Sequence, residues 1–556
     1  MPDPATLPRE LFLQVLYHVL GDSPDQWPHR PIQVPPEWCL VNRNWYRAAT
    51  PLLYSWFEFD GHPGKIYSLW VFWLTILERP DLAVHVRHLR LLTQFKAPRL
   101  PEDAAGMYRE AAPLAKKKLA EAGLGNVGDP EGDLNQGNNL PILALILLYC
   151  PRLVSLALHV AVVDPYLDAL LASAVIRHWE TGNAPLRLAF QSLRRLHIAT
   201  DEEASPSDGS PSSIAVELTG KRRPSCIGKR RPFLRLPNLQ ELRLIDAVLE
   251  SDVDTPSEDT SLTELTIVFN SPVENLRPVL QYTTKLTKLS LSLDTVNEQF
   301  DVSIHQKLWD AILPLRHQLE YLDLFEPPKP VPWNKRHELP KPFLLNDHLS
   351  FCCPLYQFTK LRQLCITPRL LLGNNCAHTP SLKFVSHLPR SLQSFALYGR
   401  SSQRIIEGIE CLEDEISAIP LNKPLLLPLL LSIVIDSPNP PRRLQHLWRS
   451  NVPGKHIADI CVRKRIMWHT NSGLLLLEGG RKTFFAIRTH NNIPTSPDNT
   501  LARLKKRRAA DIVPMGLNVQ GYRGVLNESS FDKWAKRVGV WEPGEDGRMW
   551  GPAPEW

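Results

Sequence analysis

One short apolar pattern recurs nine times between residues 86 and 397 of this chain. It is Leu-x-x-Leu-x-Leu, with occasional aliphatic or aromatic replacements. The copies are VRHLRL (86–91), LVSLAL (153–158), LRRLHI (193–198), LQELRL (239–244), LTELTI (262–267), LTKLSL (286–291), LEYLDL (319–324), LRQLCI (361–366) and LQSFAL (392–397). Apolar and polar residues alternate over the last positions of each copy, which is the pattern of a half-buried strand. Several copies follow a short turn bearing Pro or Thr, such as CPR, LPN, YTTK or FTK. No single copy can bury its own leucines, so the copies must stack to make a core. The constraint is therefore architectural: strands side by side, with connecting segments, several of them helical, returning along the other face. The fold class this predicts is α/β.

The starts of successive copies lie 23 to 67 residues apart. Two of the spacings are near a leucine-rich-repeat period and the rest are longer, so the array should be irregular. Between the inward leucines, the intervening side chains point outward. They form a candidate binding surface of Arg195, His197, Glu241, Arg243, Glu264, Lys288, Tyr321, Asp323, Phe325 and Tyr398. The signs are mixed and aromatics gather in the C-terminal half. Arg and aromatic residues are the types favoured at interaction hot spots.

A second pattern precedes the repeats. Residues 7–20 read LPRELFLQVLYHVL and residues 38–59 read WCLVNRNWYRAATPLLYSWFEF. Leu7, Leu11, Val15 and Val19 recur at helical spacing, with Leu16 and Leu20 beside them. Pro8 suits a first helical turn, and Glu10 complements the helix dipole there. The stretch from Gly21 to Pro36 carries five prolines and breaks the helix. Leu40, Val41, Trp45, Ala48 and Ala49 line a second helix, and Pro51 opens a third that holds Leu52, Leu53 and Phe57. Helices this short cannot bury a core alone, so their apolar faces point to a docking partner.

These residues resemble the F-box. Its motif is Leu-Pro-x-Glu-Leu, an aliphatic pair, a Leu-Val-Cys-Arg-x-Trp run and Pro-Leu-Leu-Tyr. The matches are Leu7, Pro8, Glu10, Leu11, Val15, Leu16, Leu40, Val41, Arg43, Trp45, Pro51, Leu52, Leu53 and Tyr54. Asn42 stands where Cys is usual, and the insert between the helices is longer than usual. The segment ILERPDLAVHVRHLRL (76–91) is similar to a helix-to-strand junction common in fungal F-box proteins. Residues 1–400 together resemble the F-box and leucine-rich-repeat family. The resemblance implies docking on a Skp-type adaptor, and through it on a cullin ubiquitin ligase, with Leu7, Pro8, Leu11, Val15, Leu16, Leu40, Val41 and Trp45 at the interface. It implies a non-catalytic receptor for a protein substrate, or else a binding scaffold acting outside a ubiquitin ligase. The expected layout is a helical module over 1–60 and an irregular solenoid over 61–400. Flexible loops are expected near 97–139, 200–232 and 326–342. An extension with β-hairpins over 401–488 and a disordered tail over 489–556 complete it.

Composition is ordinary for a globular chain, with 43% hydrophobic and 22% charged residues, and 51 prolines argue for many interrupted elements. A net charge of +6 over 556 residues does not by itself imply nucleic acid. Nine scattered cysteines form no CxxC pair, which signals neither a zinc site nor a redox motif and fits reduced thiols in the cytoplasm or nucleus. No signal peptide opens the chain. Residues 140–163 carry one charge, Arg152, but Pro141 and Pro151 interrupt them, so a buried helix and strand fit better than a membrane span.

No enzyme motif assembles. Gly123, Gly125 and Gly128 make a GxGxxG without the strand-then-helix context of a dinucleotide site, so a flexible loop is expected there. His85 and His88 lack further metal ligands at suitable spacing and read as surface or rim residues. No metal, cofactor, nucleic-acid or membrane partner is expected. The basic clusters 221–223 with 229–231, and 505–508, are candidates for nuclear import, though solvated loop charge explains them as simply. Ser205-Pro206 and Ser210-Pro211 are weak phosphorylation candidates.

Overall fold

The computed structural model describes residues 35–59, 66–92, 102–160, 165–176, 190–200, 232–247, 260–269, 276–292, 302–325, 354–366, 384–398, 425–436 and 467–470, with a few isolated positions besides. The chain divides into two compact units, with the boundary between Leu262 and Thr263. Both are mixed α/β with parallel strands.

In the first unit, α1 (Trp38–Val41) and α2 (Arg43–Leu53) lead into β1 (Trp56–Phe59). Helices α3 (Ile66–Glu78) and α4 (Pro80–Ala83) then connect to β2 (His88–Leu92). Three helices, α5 (Glu102–Glu121), α6 (Pro130–Asn135) and α7 (Leu140–Tyr149), precede β3 (Ser155–Val160). Helix α8 (Pro165–Ile176) leads toward β4 (Arg195–Thr200), and β5 (Glu241–Ala247) follows. Strands β1 to β5 lie in sequence order, and β1 to β4 each pair in parallel with the next strand.

The second unit holds β6 (Glu264–Phe269), α9 (Leu276–Gln281), β7 (Lys288–Ser292), α10 (Val302–Ile312) and β8 (Tyr321–Phe325). Strands β9 (Gln363–Ile366), β10 (Ser394–Tyr398), β11 (Ser432–Asp436) and β12 (Met467–Thr470) complete it. Each of these seven strands pairs in parallel with its sequence neighbour within the unit.

The nine motif copies fall on β2 to β10. Their inward residues stack in register: Leu89, Leu156, Leu196 and Leu242 in one unit, and Leu265, Leu289, Leu322, Leu364 and Phe395 in the other. All of these are buried. Each such side chain removed from water contributes about 1.5–3 kcal/mol, which only stacking can realise.

A repeated backbone contact sets the register. Ser55 O accepts from Arg87 N and His88 N, Arg87 O from Val154 N and Ser155 N, and Val154 O from Arg194 N and Arg195 N. The same contact recurs in the second unit at Thr263, Thr287, Glu320 and Arg362. The uneven copy spacing follows from the crossovers. Three helices fill the longest connection, between β2 and β3, whereas the turn-and-a-half of α9 suffices between β6 and β7.

Several expectations are corrected. Within the loop expected near 97–139, residues 102–121 and 130–135 are instead the helices α5 and α6. Pro51 does not open a third helix; it sits in the last turn of α2. The second helix breaks at Asn42, whose extended backbone (φ −166°) lets its Oδ1 accept from Asn44 N at 2.9 Å and Trp45 N at 3.0 Å, an N-cap. Residues 56–59 belong to the sheet and not to the helical module, because Phe57 stacks on Phe72 of α3 at 3.8 Å. Residues 467–470 of the expected hairpin region form strand β12, which pairs in parallel with β11. Parallel pairing also carries the strand cadence past residue 400, on β11. The rest of the expected hairpin region, both basic clusters, the Ser-Pro sites and the loops near 200–231 and 326–342 lie outside the described residues.

The apolar stretch after Leu140 is α7, whose residues 140–148 are all buried against α3, α5 and α8, followed by β3. Among the described residues no helix is long and apolar enough to cross a membrane.

Candidate functional site

Two surfaces carry the residues singled out in the sequence. The first is the docking segment. Leu40 is 84% exposed and Val41 58% exposed, at the end of α1, and Tyr46 on α2 is exposed too. Trp45 is half-buried, edge-on to Trp38 with ring centres 5.7 Å apart. Helix α2 buries Ala48, Ala49, Thr50 and Leu52 on its opposite side, so the apolar residues divide between an inner and an outer face. At the α3–α4 junction Arg79 grips Asp81 with two hydrogen bonds, Nε to Oδ1 at 2.9 Å and the second nitrogen to Oδ2 at 2.7 Å. The bond to Asp81 and one to Tyr46 raise the Arg79 guanidinium further above its ordinary value. Leu7, Pro8, Leu11, Val15 and Leu16 lie outside the described residues.

The second surface is the outward face of the strands, built by register. In the first unit one row runs Trp56, His88, Ser155, Arg195, Glu241, and the next runs Glu58, Arg90, Ala157, His197, Arg243. Glu241 gathers three nitrogens, two from guanidiniums and one from an imidazole: Arg243 Nε at 2.7 Å, His197 Nε2 at 2.9 Å and Arg195 Nε at 3.6 Å. Burial raises its carboxyl, but the hydrogen bond to His197 and the charges of Arg243, His197 and Arg195 outweigh that and hold it well below the usual carboxylate range. Arg90 pairs with Glu58 at 3.1 Å. His88 lies against Trp56, ring centres 5.4 Å apart. Burial, then the charges of Arg195 and Arg87, push His88 down to about 4, so at neutral pH it is uncharged. His88 is therefore more enclosed than a rim residue.

In the second unit the row through Glu264 and Lys288 continues to Tyr321, and the row through Thr266 and Ser290 continues to Asp323 and Cys365. Lys288 Nζ donates to Glu264 Oε2 at 2.8 Å. Tyr321 and Asp323, expected on the exposed surface, are 2% and 0% exposed. The reason is local: the Tyr321 hydroxyl reaches along its own strand to donate to Asp323 Oδ2 at 3.2 Å, and Ser290 Oγ donates to the same oxygen at 3.0 Å from the next strand. Phe325 and Tyr398 share the outward parity of β8 and β10, in register with Ser292 and Asp436, but their side chains lie outside the described residues.

The structure thus brings together Arg195, His197, Glu241 and Arg243, and pairs Glu264 with Lys288 separately. Sequence reasoning missed Trp56, Glu58 and Arg90. Arg90 was findable, because it occupies an outward position of the first motif copy. Trp56 and Glu58 had no such signal, since β1 carries no copy.

The GxGxxG glycines serve the turn between α5 and α6. Gly123 (φ 80°) and Gly128 (φ 65°) need the left-handed region. A Cβ on Gly128 would meet the Tyr166 hydroxyl, which donates to Asp133 Oδ2 at 2.7 Å. Cys150 and Cys365 are buried, and burial pushes the Cys150 thiol up to about 12. Among the described residues no cluster of His, Cys, Asp and Glu is arranged to hold a metal ion. No protein-family model matches the chain, and a search of curated proteins returns no match.

Proposed function

We propose that this chain is the substrate-recognition subunit of a Skp–cullin–F-box ubiquitin ligase, with an N-terminal F-box and an irregular leucine-rich-repeat-like solenoid. The observation that supports it most is the exposure of Leu40 and Val41, two adjacent apolar motif positions left uncovered on a short helix. The inner face of the same segment is committed to the fold, and only two residues, Tyr54 and Ser55, separate α2 from β1. An adaptor on the outer face would therefore be held in a defined relation to the first strands. The chain itself does no chemistry in this reading. It holds a protein substrate near a ubiquitin-loaded enzyme and so raises effective concentration.

The test is capture of a Skp-type adaptor by the purified chain. Leu40→Glu with Val41→Glu should abolish capture without loss of folded structure by circular dichroism, and Leu7→Ala with Pro8→Ala should do the same. Capture that survives both pairs overturns the assignment. Adaptor binding without co-purifying cullin would instead place the chain among binding scaffolds outside a ubiquitin ligase.

A further inference from the structure

The outward face of the first unit gathers cationic side chains around one carboxylate and leaves one of them, Arg195, incompletely satisfied. Two guanidiniums, Arg195 and Arg243, and the imidazole His197 surround one carboxylate, Glu241. Arg195 shows the shortfall. Its Nε stands 3.6 Å from Glu241, beyond good hydrogen-bond range, and one terminal nitrogen is buried with no hydrogen-bond partner among the described residues. That nitrogen is itself buried, while the side chain as a whole is 31% exposed, so Arg195 still presents part of its surface to solvent.

The shape is suited to a ligand. Strand β3 presents small residues outward, Ser155 and Ala157, both partly exposed. In register on one side stand His88 and Arg90, and on the other Arg195 and His197. The walls are two strand spacings apart, about 10 Å, wide enough for an extended chain. His88 is neutral, so charge recognition falls to Arg90 and Arg195.

We infer that this groove docks an acidic peptide segment of a partner protein, with side-chain carboxylates placed between Arg90 and Arg195 over the Ala157 floor. The charge of the walls selects the occupant: no outward-facing acid lies on β2, β3 or β4. Glu241 keeps the cations oriented when the groove is empty. The inference names a substrate class for the receptor proposed above, and rests on that reading only for its biological setting.

Fluorescence anisotropy with the purified full chain tests it, using a short fluorescein-labelled Glu-rich peptide and its Gln counterpart. The Glu peptide should bind, the Gln peptide should not, and affinity should fall as salt rises. Arg195→Glu should weaken binding at least about tenfold, the scale expected for a desolvated charge contact. Because Arg195→Glu also removes a partner of Glu241, Ala157→Glu serves as a second variant; it leaves every cation in place and should weaken binding to a similar degree. Equal binding of the Glu and Gln peptides, insensitivity to both variants, or equal binding of a single-stranded RNA of the same charge would each overturn the inference. Selective binding of a phosphoserine version alone would also overturn it. Neither peptide assay involves the adaptor, so a failure here is distinguishable from a failure of the Leu40/Val41 test.

Discussion

The outward strand faces of the two units share one backbone pattern and handle charge in opposite ways. In the first unit one largely enclosed carboxylate draws two guanidiniums and an imidazole and leaves Arg195 incompletely satisfied. In the second, Lys288 donates to Glu264, and Asp323 is closed off by neutral donors from Ser290 and Tyr321. A motif that fixes which leucines point inward says nothing about this. The outward residue at each register position has its cross-strand neighbours as partners, and those come from copies 23 or more residues away. Excess donors leave a face able to recruit a ligand, whereas balanced donors make a face that is part of the fold.

That contrast can be broken most forcefully at Asp323. Asp323→Ala strands two buried donors, and should cost about 2–4 kcal/mol in chemical denaturation while leaving Glu-peptide binding unchanged. A loss below about 1 kcal/mol would mean that the second face is less closed than its burial indicates.

Next in size is a pH effect in the first unit. His88 has a folded value of about 4, below its ordinary 6.5. The unfolded chain therefore binds the extra proton first, and stability present above pH 6.5 is lost as pH falls toward 4. The loss is about 2–3 kcal/mol by pH 4, and His88→Phe should flatten that limb in thermal melts. Glu241 acts in the same direction but lower, because its folded carboxyl is depressed. Its stabilisation is complete above the usual carboxylate range and lost as pH falls through and below it. Glu241→Gln should therefore cost about 1–3 kcal/mol at neutral pH, and the gap from the parent chain should narrow in acid. The smallest effect belongs to Lys288→Gln. Its pair with Glu264 is partly exposed, so a change within about 0–1 kcal/mol is expected, and a larger one would show that this pair is not simply balanced.

The strands were legible because burial of leucines at period two is a local signal that repetition amplifies. Each of the nine copies became a strand. Strand β1 was not legible: Trp-Phe-Glu-Phe follows a helix directly, and only pairing with β2 and the stacking of Phe57 on Phe72 make it extended. Helices α5 and α6 were hidden by glycines and prolines that turned out to serve caps, turns and a close approach to Tyr166. At the candidate surfaces, Leu40 and Val41 are exposed, whereas Tyr321 and Asp323, expected outward and accessible, are buried. Alternation assigns a side chain to a face but not its accessibility, which depends on what the neighbouring strands place beside it.

By itself, then, the sequence determined the secondary-structure alphabet of the array: which residues are inward, where strands begin, and that no copy could stand alone. Those are consequences of local periodicity and of the cost of exposing leucine to water. The tertiary structure alone decided which outward residues meet. Glu241 finds Arg195 and His197 on β4, the preceding copy, and Ser290 finds Asp323 only because β7 and β8 pair in register. Charge balance is a property of neighbours, and the neighbours of an outward residue are supplied by the adjacent copies, whatever the length of the crossover between them.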